Sequence, residues 1–326
     1  MSDRPRLRVW SLARMGLITT SLVGSMALGG GSLVALAQDA SPAASPSGNC
    51  APGTMSTGMA TPTDMATPVA EPSGSEADEA TTAAAQAFVD NAKACASDPD
   101  ALATLVTPNL VKTLGGYDSI EAAQKDGFFT DAPFGNATTG AVTSYDDGSV
   151  GIEVKYMQTE YQAVQEEWIL VQANGEWKLN NIHPETPEID GDSAAVGVNL
   201  NETGDGQYSI EPNASSVVQT DVIILQAISA DTNKEPHMLV VFQVPEGMTA
   251  ADVAAGKVSE QDTTFIGGVQ GVMPGTSQDL TLVNLPAGKY VLACFVTGPD
   301  GKPHAMNGMV TDFEVTAPEP VATPAS

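Results

Sequence analysis

The chain has 326 residues, with 13 Lys or Arg against 40 Asp or Glu, a formal net charge of −27, and 42% apolar and 5% aromatic content. That length holds two ordinary domains with flanking segments. So acidic a surface repels phosphate backbones and anionic lipid heads, which excludes nucleic acid as a partner.

Arg4, Arg6, Arg8 and Arg14 form a basic start, Met15 to Leu36 is apolar and Gly-rich, and Ala35-Leu36-Ala37 is a small-x-small step before Gln38. Residues 1–37 therefore read as a secretory signal peptide, and a secreted or extracytoplasmic, cell-surface location is expected. Without these residues, which hold four Arg and one Asp, 9 basic and 39 acidic side chains remain, a net charge of −30. No membrane span is expected in that mature chain. Residues 38–79 are dominated by Ala, Ser, Thr, Pro and Gly and contain no aromatic residue. Such a segment cannot bury enough apolar surface to offset its ordering entropy, so it is expected to be a disordered linker. The tail 317–326, APEPVATPAS, has the same character. The three cysteines are Cys50, Cys95 and Cys294. In an oxidising compartment Cys50 and Cys95 can pair, which leaves Cys294 as an odd thiol that a metal would protect.

From residue 80 a helical pattern begins. Ala85, Phe88, Val89, Ala92 and Cys95 recur at i, i+3 and i+4, so Cys95 also reads as a small core residue. Asp98-Pro99-Asp100 breaks the pattern and can cap the next helix, Pro108 bends or divides the next stripe, and Ser119 can cap a short third helix. Strands are expected at 141–145 and 150–157, and again at 167–172 and 176–182 around an Asn174-Gly175 turn, the strongest short-range hairpin signal. Helices before an antiparallel meander make an α+β domain. The ending WILVQANGEWKLNNI, Trp168 to Ile182, resembles the last hairpin of the NTF2-like family. That resemblance implies a cone of helices on a curved sheet over residues 80–185, with room for a small ligand. Some members of the family are enzymes, but no acid–base pair is recognisable here, so no catalytic residue is assigned and the protein is not expected to be an enzyme. His183 is expected in a loop after the last strand. Tyr156, Tyr161 and Trp168 are expected to pack in the core.

Residues 186–195 form a Pro- and acid-rich boundary. From 196 to 316 short strands recur, at 196–200, 207–211, 222–228, 238–244, 279–283, 290–296 and 309–315, punctuated by Gly, Pro and Asn. That spacing predicts a β-sandwich, with a helical insert at 249–256.

The chemistry-bearing residues lie in this second part. His237 opens an apolar strand after Pro236, Cys294 ends another, and His304 and Met309 come after it. A thiolate, two imidazoles and a weak axial thioether are the donor set of blue copper. The segments PHMLVVF, YVLAC and PHAMNGMV resemble the cupredoxin family of small copper proteins, and the resemblance spans about residues 195–316. It implies an all-β Greek-key sandwich with one type 1-like copper held by His237, Cys294, His304 and Met309, with Met306 as the alternative axial sulfur. The nine residues between Cys294 and His304, FVTGPDGKP, are more than copper-binding members of the family carry. Gly298-Pro299-Asp300-Gly301 is expected to fold the excess out as a turn. The added loop-closure entropy is below about 1 kcal/mol, so entropy does not forbid the site. The expected function is that of an exported copper protein in one-electron transfer or copper handling, facing a redox partner protein. The alternative is a cupredoxin fold without metal that serves as a surface binding module.

Overall fold

The computed structural model describes residues 73–319 except 131, 205, 260 and 261. The expected signal peptide, Cys50, the linker up to residue 72 and the tail from residue 320 lie outside the described residues.

A short strand, β1 (Gly74–Glu76), precedes four helices: α1 (Glu79–Ala94), α2 (Pro99–Thr104), α3 (Pro108–Gly115) and α4 (Ile120–Lys125). The side chains of Asp78, Asp98, Thr107 and Ser119 each accept a hydrogen bond from the backbone N–H three residues on, which caps all four helices. Pro99 and Pro108 sit at the first helical position, where a missing N–H costs nothing. Pro108 thus starts a helix rather than bending one.

Four antiparallel strands come next: β2 (Thr138–Tyr145), β3 (Val150–Met157), β4 (Gln162–Ala173) and β5 (Glu176–Glu185). Asn174 and Gly175 take φ of 55° and 82°, the mirror-image turn that matches strand twist. β5 runs past Ile182 to Glu185, so His183 is an exposed strand residue and not the loop residue expected; its Nδ1 lies 3.4 Å from Glu167 Oε2. Phe88, Val89, Leu110 and Val111 of the helices close on Ile152, Val154, Trp168 and Leu170 of the sheet to form one core. Cys95 is buried there and disulfide-bonded.

The second core is built from β6 (Ser193–Gly204), β7 (Gln207–Pro212), β8 (Ser216–Val218), β9 (Val222–Ser229), β10 (His237–Gln243), α5 (Ala250–Ala254), β11 (Thr264–Val272), β12 (Ser277–Val283), β13 (Gly288–Ala293) and β14 (Val310–Thr316). One of its sheets has the order β11-β10-β13-β14-β8. The strands of the other, β12-β9-β6-β7, do not stop at its edge. β12 pairs with β4 through Thr281 and Leu282 opposite Ala163 and Gln162, which joins both halves in one nine-stranded sheet. Gln162, 4% exposed, reinforces the seam: its Nε2 donates to the Gly268 carbonyl at 3.0 Å and its Oε1 accepts from the Gly268 amide at 2.9 Å.

β11 is the strand the apolar pattern does not announce. Gly267 and Gly268 remove its alternation for a packing reason. A Cβ on Gly267 would lie 2.8 Å from Gln162 Oε1, and one on Gly268 would lie 2.9 Å from the Leu239 carbonyl oxygen. Replacing Gln162 with Ala leaves a buried amide and carbonyl of Gly268 unpaired. Urea denaturation of Gln162→Ala should show a loss of about 2–4 kcal/mol; unchanged stability would contradict this account of the seam.

Candidate metal centre

Three chain segments meet at one end of the second core. β10 begins at His237, Cys294 directly succeeds β13, and His304 opens a single 3-10 turn, His304–Asn307. All three side chains are fully buried. Their ligand atoms lie within 4.8 Å of one another: Cys294 Sγ is 4.0 Å from His237 Nδ1 and 3.6 Å from His304 Nδ1.

The nine-residue excursion between Cys294 and His304 is a small hairpin. Thr297 bridges Pro303, the Gly298 amide donates to the Lys302 carbonyl at 2.8 Å, and Gly301 takes the left-handed turn at φ 80°. Asp300 accepts from the Lys302 amide and the Asn307 side chain, which ties the hairpin to the 3-10 turn. Below the hairpin the chain closes tightly. The His304 amide donates to the Val296 carbonyl at 2.8 Å, and the Ala305 amide donates to the Cys294 carbonyl at 2.7 Å. The excess length projects outward while His304 returns beside Cys294, as the Gly-Pro-Asp-Gly turn predicted.

Met309 is also fully buried in this core, and its backbone bonds both neighbours: its amide donates to the His304 carbonyl and its carbonyl accepts from the Cys294 amide. Met306 is 42% exposed, so the alternative sulfur is the wrong one for an enclosed site. Gly308, with φ 105°, is needed between them; a Cβ there would lie 2.6 Å from the Tyr208 carbonyl oxygen.

Three further residues belong to the site. Glu235 Oε2 lies 3.1 Å from His304 Nε2, and Glu202 Oε1 lies 3.7 Å from His237 Nε2. A carboxylate accepts only, so His304 Nε2 carries the proton and the Nδ1 lone pair is left facing the thiol. The Tyr208 ring stacks on His304 with centroids 3.7 Å apart and planes within 16°. Glu235 stands two residues before His237, a spacing readable in sequence. Glu202 and Tyr208 come from the β6–β7 hairpin, and no local pattern points to them.

Burial sets the protonation states. Desolvation pushes the Cys294 thiol up to about 12, against the Met238 and Val296 backbone N–H groups that favour its thiolate. Desolvation lowers both imidazoles to about 4, His237 with further help from His304, while Glu202 opposes in each case. The donor set at neutral pH is thus two neutral imidazoles and a protonated thiol. Ligand bonds of roughly 2.0–2.3 Å in a trigonal plane set donor atoms roughly 3.8 Å apart, close to the observed sulfur–nitrogen separations. A cation that displaces the thiol proton therefore fits these residues.

Residues 188–325 match the family model of the sulfocyanin (SoxE) domain. Among solved structures, auracyanin B is 16% identical with a TM-score of 0.27, over 40% of this chain and 93% of that one. The dithionite-reduced auracyanin of the photosynthetic bacterium Roseiflexus castenholzii is 19% identical with a TM-score of 0.24, over 38% and 96%. No curated protein matches.

The folded-state depression of both imidazoles has a definite sign. Stability that depends on their neutrality is complete above the unfolded value near 6.5 and is lost as pH falls through about 4. In the metal-free protein, NMR should show the ring protons of His237 and His304 titrating near pH 4, and midpoints near 6.5 would contradict the buried, neutral site. The C-terminal part of the chain is a cupredoxin-like domain, and its His237, Cys294, His304 and Met309 cluster is consistent with a type 1 copper site.

Proposed function

We propose that this chain is an exported copper protein that passes single electrons to and from a redox partner protein. The observation that carries the proposal is the convergence of two buried imidazole Nδ1 atoms on one buried thiol, which the Cys294–His304 hairpin permits despite its length.

His237, Cys294 and His304 would hold the metal, and Met309 would supply the weak fourth sulfur. When bound, copper supplies a one-electron couple between Cu(I) and Cu(II). The remaining work belongs to the protein. Cys294 loses its proton on loading, and the Met238 amide, 3.5 Å from Sγ, and the Val296 amide hold the resulting negative charge. Glu235 and the stacked Tyr208 ring fix the orientation of His304, so the ligand set moves little when the charge at its centre changes. Burial of all three donors keeps water out.

The proposal extends to the rest of the chain. Residues 1–37 act as a signal peptide, 38–79 as a spacer, 80–185 as an NTF2-like domain and 196–316 as the copper domain, with 186–195 between them and 317–326 as a tail. The order of four capped helices and an antiparallel sheet supports the NTF2-like assignment. No described helix is long and apolar enough to cross a membrane. No catalytic role is proposed.

Cu(II) added to the mature protein should give an intense visible thiolate-to-copper band and a type 1 EPR spectrum, both absent in Cys294→Ala. A colourless protein that retains no copper would refute the proposal in favour of a metal-free binding module.

A further inference from the structure

A second site lies away from the histidines, where the joined sheet forks. β4 pairs with β12 through Gln162 and Ala163, and with β5 from Gln165 onward, so its edge at Val164 faces neither strand. A cavity of about 580 Å³ opens there, between the β3–β5 face and β11. That volume is in the range of small-molecule sites.

Its chemistry is one-sided. Among the described residues, the charged side chains that line it are Glu166, Glu185 and Asp279, and none is basic. Two lining amides, Gln165 and Gln270, each keep a side-chain oxygen buried without a hydrogen-bond partner among the described residues. Unpaired buried acceptors are costly, so two in one cavity mark places where a donor belongs. Glu166 is half-buried on β4. Its oxygens accept from the Tyr156 hydroxyl at 3.2 Å and Trp168 Nε1 at 2.9 Å, which leaves lone-pair capacity on each. Glu185 accepts from Gln165 Nε2, and Asp279 accepts from Thr186 and Gln226. The apolar part of the lining includes the rings of Phe134, Tyr156 and Phe265.

We propose that this cavity binds a small organic ammonium compound with an apolar body, the ammonium group donating to Glu166 and the Gln270 amide oxygen across from it and the body lying against the aromatic rings. Desolvation raises the Glu166 carboxyl, and a bound cation would offset that cost by favouring its charged form. Cation–π attraction to the same rings adds to the preference. Among the described lining residues an anion would meet three carboxylates and no positive charge.

Phenethylamine, 2-phenylethanol and phenylacetate share one body and differ in the head group. Calorimetric titration of the copper-free full chain should show phenethylamine binding tighter than roughly 1 mM, at least about ten-fold tighter than the alcohol, and no binding of phenylacetate. Glu166→Gln should weaken phenethylamine at least about ten-fold. Gln270→Met, which removes an orphan acceptor on the opposite wall without touching the Tyr156–Glu166–Trp168 bonds, should weaken it several-fold with an unchanged circular dichroism spectrum. Phenylacetate binding as tightly as the amine would overturn the proposal. So would no binding of phenethylamine, or binding that a folded Gln270→Met leaves intact. Because the titration uses no copper, its failure leaves the copper proposal standing.

Discussion

The hydrogen bond from the Ala305 amide to the Cys294 carbonyl, 2.7 Å long, holds the metal centre together. It closes a loop of chain whose two ends must lie side by side for a thiol and an imidazole to share one ion. Nine intervening residues would be a poor spacer if they were slack. The Thr297–Pro303 bridge and the Gly298–Gly301 turn make them stiff, so the ends arrive already placed. Local turn chemistry thus accommodates the extra length at a small entropic cost.

Around that closure the fold supplies dryness and orientation. β10 and β13 bring His237 and Cys294 to one end of a core that admits no water-exposed donor. Two carboxylates stand behind the imidazoles rather than among the ligands: Glu235 bonds His304 Nε2, which fixes that ring's proton and leaves Nδ1 to face inward, while Glu202 stands 3.7 Å from His237 Nε2 without a hydrogen bond. The Glu235 carboxylate bonded to His304 also makes that imidazole a stronger donor, which would favour the more highly charged Cu(II) state in a loaded site. The surplus of acid elsewhere keeps the surface charged, but at the centre Glu202 and Glu235 are the carboxylates that stand against the imidazoles.

Much of this was legible from residues alone, for physical reasons. Pro-His at a strand start, a cysteine at a strand end, and Pro303 and Gly308 flanking the last histidine are local signals, and each serves a local backbone need. The helix caps Asp98 and Ser119 act over three residues, and the Asn174-Gly175 turn over two, so sequence carries them well. What sequence hid is non-local. β11 lost its alternation because Gly267 and Gly268 give way to Gln162 and to the Leu239 carbonyl, more than 25 residues away in both cases. The β4–β12 seam joins strands more than a hundred residues apart. Glu202 and Tyr208 reach the metal centre across a hairpin. Glu166 was findable: it interrupts the inward-facing series Val164, Glu166, Trp168, Leu170, and a carboxylate on an apolar face calls for a partner. Its partner Tyr156 reads from sequence as a packing residue, because nothing local marks the hydroxyl as bonded.

The central claim is that one thiolate and two imidazoles bind the same copper ion despite the long excursion between Cys294 and His304. X-ray absorption at the copper edge of the loaded protein tests it most directly. The account predicts one sulfur at roughly 2.2 Å and two nitrogens at roughly 2.0 Å in the first coordination sphere. A shell of nitrogen and oxygen alone, with no short sulfur, would contradict it.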